Sequence, residues 1–352
     1  MSTEFKTIRS FASDNHAGIH PDILKAIQDA NNGDTPAYGA DPWTQKLEEI
    51  TKKTFGDQAR IYPVFNGTGA NVLALSSILK PYEAIICAAK AHIAEDECGA
   101  PEHYSGSKQI PIITPDCKLT PELILNQAAE PLNWKGDMHR VQLKVISITQ
   151  STEYGAVYTI SEIKALSKFA HDRGMFLHLD GARAFNAAAA LGVSLKQMTT
   201  DCGVDILSLG GTKNGAMAAE AVVVLNPNLA HDFLFYRKQA MQLCSKMRFV
   251  SAQWIALFEN DLGLKNAKHA NQMAKLLSDE VQKIAGVELT QKTQANAVFA
   301  KIPMHVVPNL QKEFYFYVWE ESLSTVRWMT NFRTTPSDID DFVKALKSAL
   351  VN

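Results

Sequence analysis

Two residues of this sequence are placed to do covalent chemistry together, Lys213 and Asp180. Lys213 lies in Ser208-Leu209-Gly210-Gly211-Thr212-Lys213-Asn214-Gly215, directly after the apolar run Val204-Asp205-Ile206-Leu207, which predicts a short buried strand. Two glycines allow a sharp turn and a close backbone approach to something bound, and small residues follow. A lysine held in a tight apolar turn loses hydration, its pKa falls, and its free amine becomes a nucleophile able to form a Schiff base. Taken alone, the same pattern also describes a solvated lysine in a loop. His178-Leu179-Asp180-Gly181-Ala182-Arg183 sharpens it. There the strand Met175 to Leu179 delivers Asp180 at its end, and a carboxylate in that position needs a cation or a proton donor facing it. The partner is either Arg183, three residues on, or the protonated ring nitrogen of a bound cofactor.

Other chemistry-bearing residues also lie at the ends of apolar runs. The strand-like stretch Ala59 to Phe65 leads into Asn66-Gly67-Thr68-Gly69-Ala70-Asn71, which opens a helix from Val72 to Leu79. A strand, a glycine-rich turn and a helix start form an anion-binding device, because free N–H groups and the positive helix end converge. The plainer reading is a capped turn, with Asn66 or Thr68 as the cap. His92 follows the apolar strand Ala84 to Ala88, and His139 precedes the strand Lys144 to Thr149. Either could face a ligand, although single histidines are usually structural. Arg237, Lys238, Lys246 and Arg248 fall in a stretch, 228 to 260, that reads as helical, where solvated charges are routine.

These residues are carried by strands of five to seven residues alternating with helices, which predicts a largely parallel α/β sheet. Beyond Gly286 the pattern changes to strands at Asn296–Lys301, Phe314–Trp319 and Thr325–Thr330, closed by a helix from Ser337 with acidic residues in its first turn. The expected division is an arm and first helix over 1–30, a large domain over 31–250 and a small α+β domain over 251–352. Bulk properties exclude several classes. The 352 residues carry a net charge of −2, too little to gather nucleic acid. Five scattered cysteines show no metal-binding or disulfide spacing, so neither a metal nor an oxidising compartment is expected. The start, Met1 to Arg9, is polar, and no run reaches the ~18 apolar residues of a membrane span. A cytoplasmic protein is expected.

Together and in this order the signals resemble the low-specificity L-threonine aldolase family, whose members are pyridoxal 5'-phosphate enzymes of fold type I, similar to aspartate aminotransferase. The resemblance covers essentially the whole chain. It is carried by Ser13-Asp14, Tyr38-Gly39-Ala40-Asp41-Pro42, the 66–71 turn, His92, His139, the 178–183 run, Lys213, Met247-Arg248, and Arg327 ahead of Thr334-Thr335. It implies an α/β fold with a mostly parallel central sheet and a smaller C-terminal α+β domain. In the resemblance Lys213 is the Schiff-base lysine, and Asp180 keeps the pyridine nitrogen protonated so that the ring can draw electrons. His92 stacks on the ring, while Gly67, Thr68 and Arg248 serve the phosphate, Arg248 from a neighbouring subunit. Ser13, Arg183 and Arg327, with Tyr38 beside them, hold the substrate carboxylate, a task suited to two-pronged guanidinium groups.

The implied reaction is retro-aldol cleavage of L-threonine or L-allo-threonine, a small amino acid substrate, to glycine and acetaldehyde. It requires a base for the β-hydroxyl, for which His92 and His139 are the two candidates. A homodimer or homotetramer is implied, with a role in threonine breakdown and glycine formation. The sequence departs from the familiar pattern at Gly-Gly-Thr-Lys-Asn-Gly around Lys213, at Cys244-Ser245-Lys246-Met247-Arg248, where Lys246 could share the phosphate, at Gln150-Ser151-Thr152-Glu153, and at Asp96. Two alternatives keep the cofactor: a β-eliminating lyase, and an aldolase for phenylserine-type amino acids. A nicotinamide oxidoreductase fails on glycine spacing, since residue 72 is Val.

Overall fold

The alternating apolar runs form a seven-stranded sheet whose strands lie, in spatial order, at Arg60–Val64, Glu220–Val224, Ile206–Gly210, Phe176–Gly181, Gln142–Thr149, Glu83–Ala88 and Lys108–Ile112. The structure is a computed structural model and describes residues 8–351. The polar start, apart from its last two residues, and the first residues of the expected arm lie outside the described residues. In chain order the strands are β1 (Arg9–Ser10), β2 (Arg60–Val64), β3 (Glu83–Ala88), β4 (Lys108–Ile112), β5 (Gln142–Thr149), β6 (Phe176–Gly181), β7 (Ile206–Gly210) and β8 (Glu220–Val224). After them come β9 (Glu288–Leu289), β10 (Ala297–Lys301), β11 (Phe314–Tyr315), β12 (Tyr317–Glu320) and β13 (Thr325–Met329).

β4, β3, β5, β6 and β7 are mutually parallel. β8 runs antiparallel between β7 and β2. Chain length explains the reversal: only residues 211–219, the lysine turn, join β7 to β8, fewer than a parallel crossover needs. β3, β7 and β8 are buried along their whole length, as strands covered on both faces must be. The covering helix Ala184–Leu191 is rich in alanine, and Gly67–Ser76 carries Gly67, Gly69, Ala70 and Ala74, small residues that let such helices lie close to the sheet.

A second sheet, β12-β13-β10-β9, is antiparallel and packs on the helices Leu262–Val281 and Pro336–Val351. Its core is aromatic, with the Trp328 and Phe342 rings 5.1 Å apart and Phe11 and Phe342 5.0 Å apart. Phe11 comes from the N-terminal arm. Its N–H donates to the Tyr315 carbonyl at 2.8 Å and its carbonyl accepts from the Met329 N–H at 2.7 Å. The arm is therefore a strand-like strap on the small sheet that delivers Ser13 and Asp14 to the junction of the two cores.

Apolar packing changes hands inside the helix Leu262–Val281: Ala267 belongs to the large core and Ala274 onward to the small one. The helix Met247–Phe258, with Trp254 fully buried, sits wholly in the large core. The two apolar cores thus meet within the long helix Leu262–Val281. The stretch 228–260 is not one helix. It breaks into Phe233–Gln239 and Met247–Phe258 around Met241, whose φ of 60° no helix accommodates.

Candidate active site

The parallel strands end at one edge of the large sheet, the place where α/β folds bind ligands. Lys213, Asp180, His92, Gly67 and Arg183 meet there in a single pocket. Lys213 sits in a 3-10 turn, Thr212–Asn214, just past β7. The glycines before it serve the protein's own backbone. A Cβ on Gly210 would lie 2.4 Å from the Ala182 carbonyl oxygen, and one on Gly211 would lie 2.4 Å from that of Ala219. The close approach expected of these glycines is thus to the chain's own backbone and not to a ligand, Gly211 meeting Ala219 and Gly210 meeting the turn after Asp180. The contact at Gly210 presses the lysine turn against the aspartate turn.

Asp180 is buried at the end of β6. One oxygen accepts the Ala182 N–H at 3.0 Å and the other accepts from the Asn71 amide at 2.8 Å. Arg183, the alternative partner in the sequence, turns away to Asp14, gripping it through Nε at 2.7 Å and an Nη at 2.9 Å. Asp180 therefore keeps acceptor capacity for something in the pocket. The same Asn71 amide also donates to Glu97 at 2.7 Å, and the Glu97 oxygen that accepts it lies 2.7 Å from His92 Nδ1. His92, Glu97, Asn71 and Asp180 form one buried chain of contacts.

Burial strips water from the Lys213 amine and lowers its pKa, and nearby Arg183 pushes it in the same direction. His92 is raised, chiefly by its contact with Glu97. Burial would raise Asp14, but the Arg183 guanidinium prevails and holds its carboxyl below the usual range. Burial pushes Glu153 and Glu220 each up to about 7. His178, fully buried between the Ser147 and Ser208 hydroxyls at 2.8 and 3.0 Å, is driven by burial down to about 4 and stays neutral.

The helix Gly67–Ser76 points its N-terminus at the pocket. Asn66 caps it, accepting the Gly69 N–H at 2.7 Å, as the plainer reading required. The Gly67 and Thr68 N–H groups have no partner among the described residues, and a Cβ at Gly67 would meet only open space. The Gln242 amide lies over the same turn and accepts the Phe65 N–H at 3.0 Å.

The remaining sequence candidates lie outside the pocket lining. Ser13 caps the turn that holds Asp14. Arg327, on β13, donates to the Ala12 carbonyl at 3.2 Å and stands 4.4 Å over the Trp319 ring. Tyr38 is exposed, with its backbone N–H donating to the Ser245 carbonyl, and Arg248 donates to the Gly33 carbonyl at 2.8 Å. His139 is not brought to the pocket of its own chain. It is exposed three residues before β5, at the opposite end of the sheet, and an eight-residue strand separates it from Thr149 in the pocket, roughly 25 Å. It cannot serve as the base in its own chain's pocket.

Sequence reasoning gave no role to Asn71, Glu97, Glu153 or Asp14. A polar residue inside an otherwise apolar helix is the signal that could have marked Asn71. Nothing local marks Glu97, which matters only because the chain folds back to His92. Glu153 is also the one residue shared with an adjoining cavity of about 330 Å³, walled by Tyr154 and Trp319. A wider groove of about 620 Å³ near Pro81 and Gly106 contains none of this chemistry.

Residues 10–303 match the model of a family described as beta-eliminating lyase. The chain is 40% identical over 344 residues to a low specificity L-threonine aldolase of a Pseudomonas species, covering 97% of this chain and 98% of that one. It is also 40% identical to a Pseudomonas aeruginosa protein of the same name, covering 89% and 90% of the two chains. Among solved structures, a Leishmania major threonine aldolase superposes with a TM-score of 0.90 at 28% identity, covering 97% of this chain and 99% of that one. A Thermus thermophilus aspartate aminotransferase variant superposes at 0.70 with 12% identity over 99% and 98% of the chains, a likeness of fold alone.

Proposed function

Since the chain belongs to the beta-eliminating lyase family and to the low-specificity L-threonine aldolases, we propose that it is a pyridoxal 5'-phosphate lyase that cleaves L-threonine or L-allo-threonine to glycine and acetaldehyde. The observation that carries this reading is the convergence of Lys213 and Asp180 on one pocket between two adjacent strand ends.

The residues fit the cofactor. Lys213 supplies a buried amine whose lowered pKa leaves more of it neutral. Asp180 offers a carboxylate with acceptor capacity to spare for a ring N–H. Gly67 and Thr68 present unpartnered N–H groups and open space to the phosphate at a helix start. Bound there, the cofactor would supply an electron sink for the pair released when a bond to the substrate's α-carbon breaks. His92 closes the pocket with Nδ1 committed to Glu97, leaving Nε2 for a ligand. Arg183, steadied by Asp14, and Arg327 would orient the substrate carboxylate, Ser13 supporting the first through its turn. Fixing that group selects which α-carbon bond is aligned for cleavage.

We further assign Arg248 and Tyr38, which sit together outside this chain's pocket, to the pocket of a neighbouring copy in a homodimer or homotetramer. Among the described residues no helix is long and apolar enough to cross a membrane, and a cytoplasmic setting with a role in threonine breakdown accords with that. The aromatic wall of the adjoining cavity, Tyr154 and Trp319, favours a second reading in which phenylserine-type substrates are also cleaved.

The test is cleavage of threonine and phenylserine diastereomers by the purified protein supplied with pyridoxal phosphate. Aldehyde and glycine in equal amounts are expected, with a borohydride-reducible chromophore that Lys213→Ala lacks. Ammonia in place of aldehyde would make the chain an eliminating lyase, and an unchanged reducible chromophore in Lys213→Ala would remove the lysine from its role.

A further inference from the structure

We propose that Glu153 accepts the proton of the substrate's β-hydroxyl, acting from the wall between the Lys213 pocket and the adjoining aromatic cavity. This rests on the aldolase reading above.

Glu153 follows the end of β5, at the sheet edge that carries the rest of the site. One of its oxygens, Oε1, accepts the His92 backbone N–H at 2.8 Å, which fixes the side chain. The other, Oε2, is buried and has no hydrogen-bond partner. An unsatisfied buried carboxylate oxygen costs stability, and such groups persist where a ligand completes them. Among the described residues Glu153 alone lines both cavities, so a substrate anchored near Lys213 with its β-substituent toward Tyr154 and Trp319 would carry its hydroxyl past this oxygen.

The rival acceptors are weaker. His92 is held in its charged form to higher pH by Glu97, and a charged imidazole donates rather than accepts. His139 of the same chain lies at the far end of the sheet. Burial, with Asp180 adding to it, sets Glu153 near neutrality, while the His92 N–H and Thr149 oppose the shift; Arg183, Cys87, Cys117 and Tyr158 are further titratable groups that face it. A base titrating near the working pH is the efficient one.

The step balances. The β-oxygen proton moves to Oε2, and the O–H electron pair becomes the second carbon–oxygen bond of the aldehyde. The Cα–Cβ pair stays with the glycine carbon, drawn by the cofactor, and a proton later takes the place of the lost carbon. Removal of an α-proton from glycine itself needs no base at this position, and that difference provides the control.

The test compares Glu153→Gln and Glu153→Asp with wild type, all loaded with pyridoxal phosphate. In Glu153→Gln, kcat for threonine cleavage should fall by about 10²–10⁴-fold with KM little changed, and the acid limb of its pH profile should vanish. Exchange of the glycine α-proton in D2O should continue near the wild-type rate. Glu153→Asp should recover part of the cleavage. In the cofactor-free protein, infrared spectroscopy should show two buried carboxyl bands titrating near neutrality, of which Glu153→Gln lacks one and keeps that of Glu220. Cleavage by Glu153→Gln at close to the wild-type rate, or cleavage and exchange falling together, would overturn the proposal. A wild type that releases no aldehyde would sink the aldolase reading and this proposal with it, whereas failure confined to the variants sinks this proposal alone.

Discussion

Arg183 and Asp14 form a two-pronged ion pair, 2.7 and 2.9 Å, between the turn after β6 and the N-terminal arm. The carboxylate is almost wholly buried and also accepts from the Asn296 amide at 3.1 Å. The arm, the large sheet and the small sheet therefore meet at one carboxylate, and the guanidinium is oriented before any substrate arrives. Such a group loses little entropy on binding a second carboxylate.

Asp14→Ala would leave the Arg183 charge buried without its partner, at a cost of about 3–5 kcal/mol. Asp14 has a folded pKa below its ordinary 3.8, so its contribution is fully present above that value and is lost as pH falls through the lower, folded one. Urea unfolding at neutral pH should show the loss, and the variant's stability should vary less than wild type's below pH ~4. Equal neutral-pH stabilities would show that the arm is not anchored through this pair.

Among the described residues, Asn71 alone hydrogen-bonds to both of two buried carboxylates, Asp180 and Glu97. Asn71→Leu keeps the branching of the side chain but removes the donor, and hydrogen bonds to charged groups contribute about 1.5–3 kcal/mol each. The variant should be destabilised by that order and should bind pyridoxal phosphate more weakly, as read by equilibrium titration of the cofactor absorbance. Unchanged affinity would mean that Asp180 is positioned by the Ala182 N–H alone.

The contrast between Asn71 and Lys213 shows what a sequence can disclose. Lys213, Asp180 and Gly67 advertise themselves locally, because each sits where an apolar run meets a glycine turn, and the fold brings them together as expected. The parallel sheet was legible for the same reason, and the antiparallel β8 follows from a connection too short to cross over. Glu97 and Asp14 matter through contacts between distant segments, Asp14 reaching a partner 169 residues away, and no local pattern encodes that. Gly210 shows the opposite error: the glycine was legible, but what approaches it is Ala182 of the same chain. His139 looked like a site residue because of its place in a motif, whereas its strand carries it to the other end of the sheet.

Glu220 sets a pH dependence in the fold itself. It is buried beneath the lysine turn, accepts the Thr212 N–H at 3.0 Å, and burial raises its pKa from 4.5 to about 7. A carboxyl whose folded pKa is raised costs nothing below its unfolded value. The penalty grows as pH rises between the two values and levels off above the folded one, at about 3 kcal/mol for a shift of this size. Glu220→Gln should thus gain stability relative to wild type on going from pH 5 to pH 8. Because Glu153 titrates in the same range, and His178, neutral in the fold, takes up a proton on unfolding at its acid end, the quantity to compare is the difference between the two proteins at each pH. A difference that does not vary with pH would show that Glu220 is charged throughout.

Arg327 supplies the last prediction. Its guanidinium lies 4.4 Å over Trp319 and 5.6 Å over Tyr317, its Nε is buried without a partner, and burial lowers its pKa to about 10. It remains charged at neutral pH, held flat by the aromatic faces, with unused donors beside the arm that carries Ser13 and Asp14. A planar fork in that setting suits a substrate carboxylate, and a lysine cannot reproduce it. Arg327→Lys should raise KM for threonine by roughly 100-fold, the loss of about 2.7 kcal/mol of charged hydrogen bonding. Pyridoxal phosphate should bind as before, since Arg327 does not line the Lys213 pocket. If the variant instead loses cofactor while amino acid binding is spared, the guanidinium serves to join the arm to the small sheet, and carboxylate recognition falls to Arg183 alone.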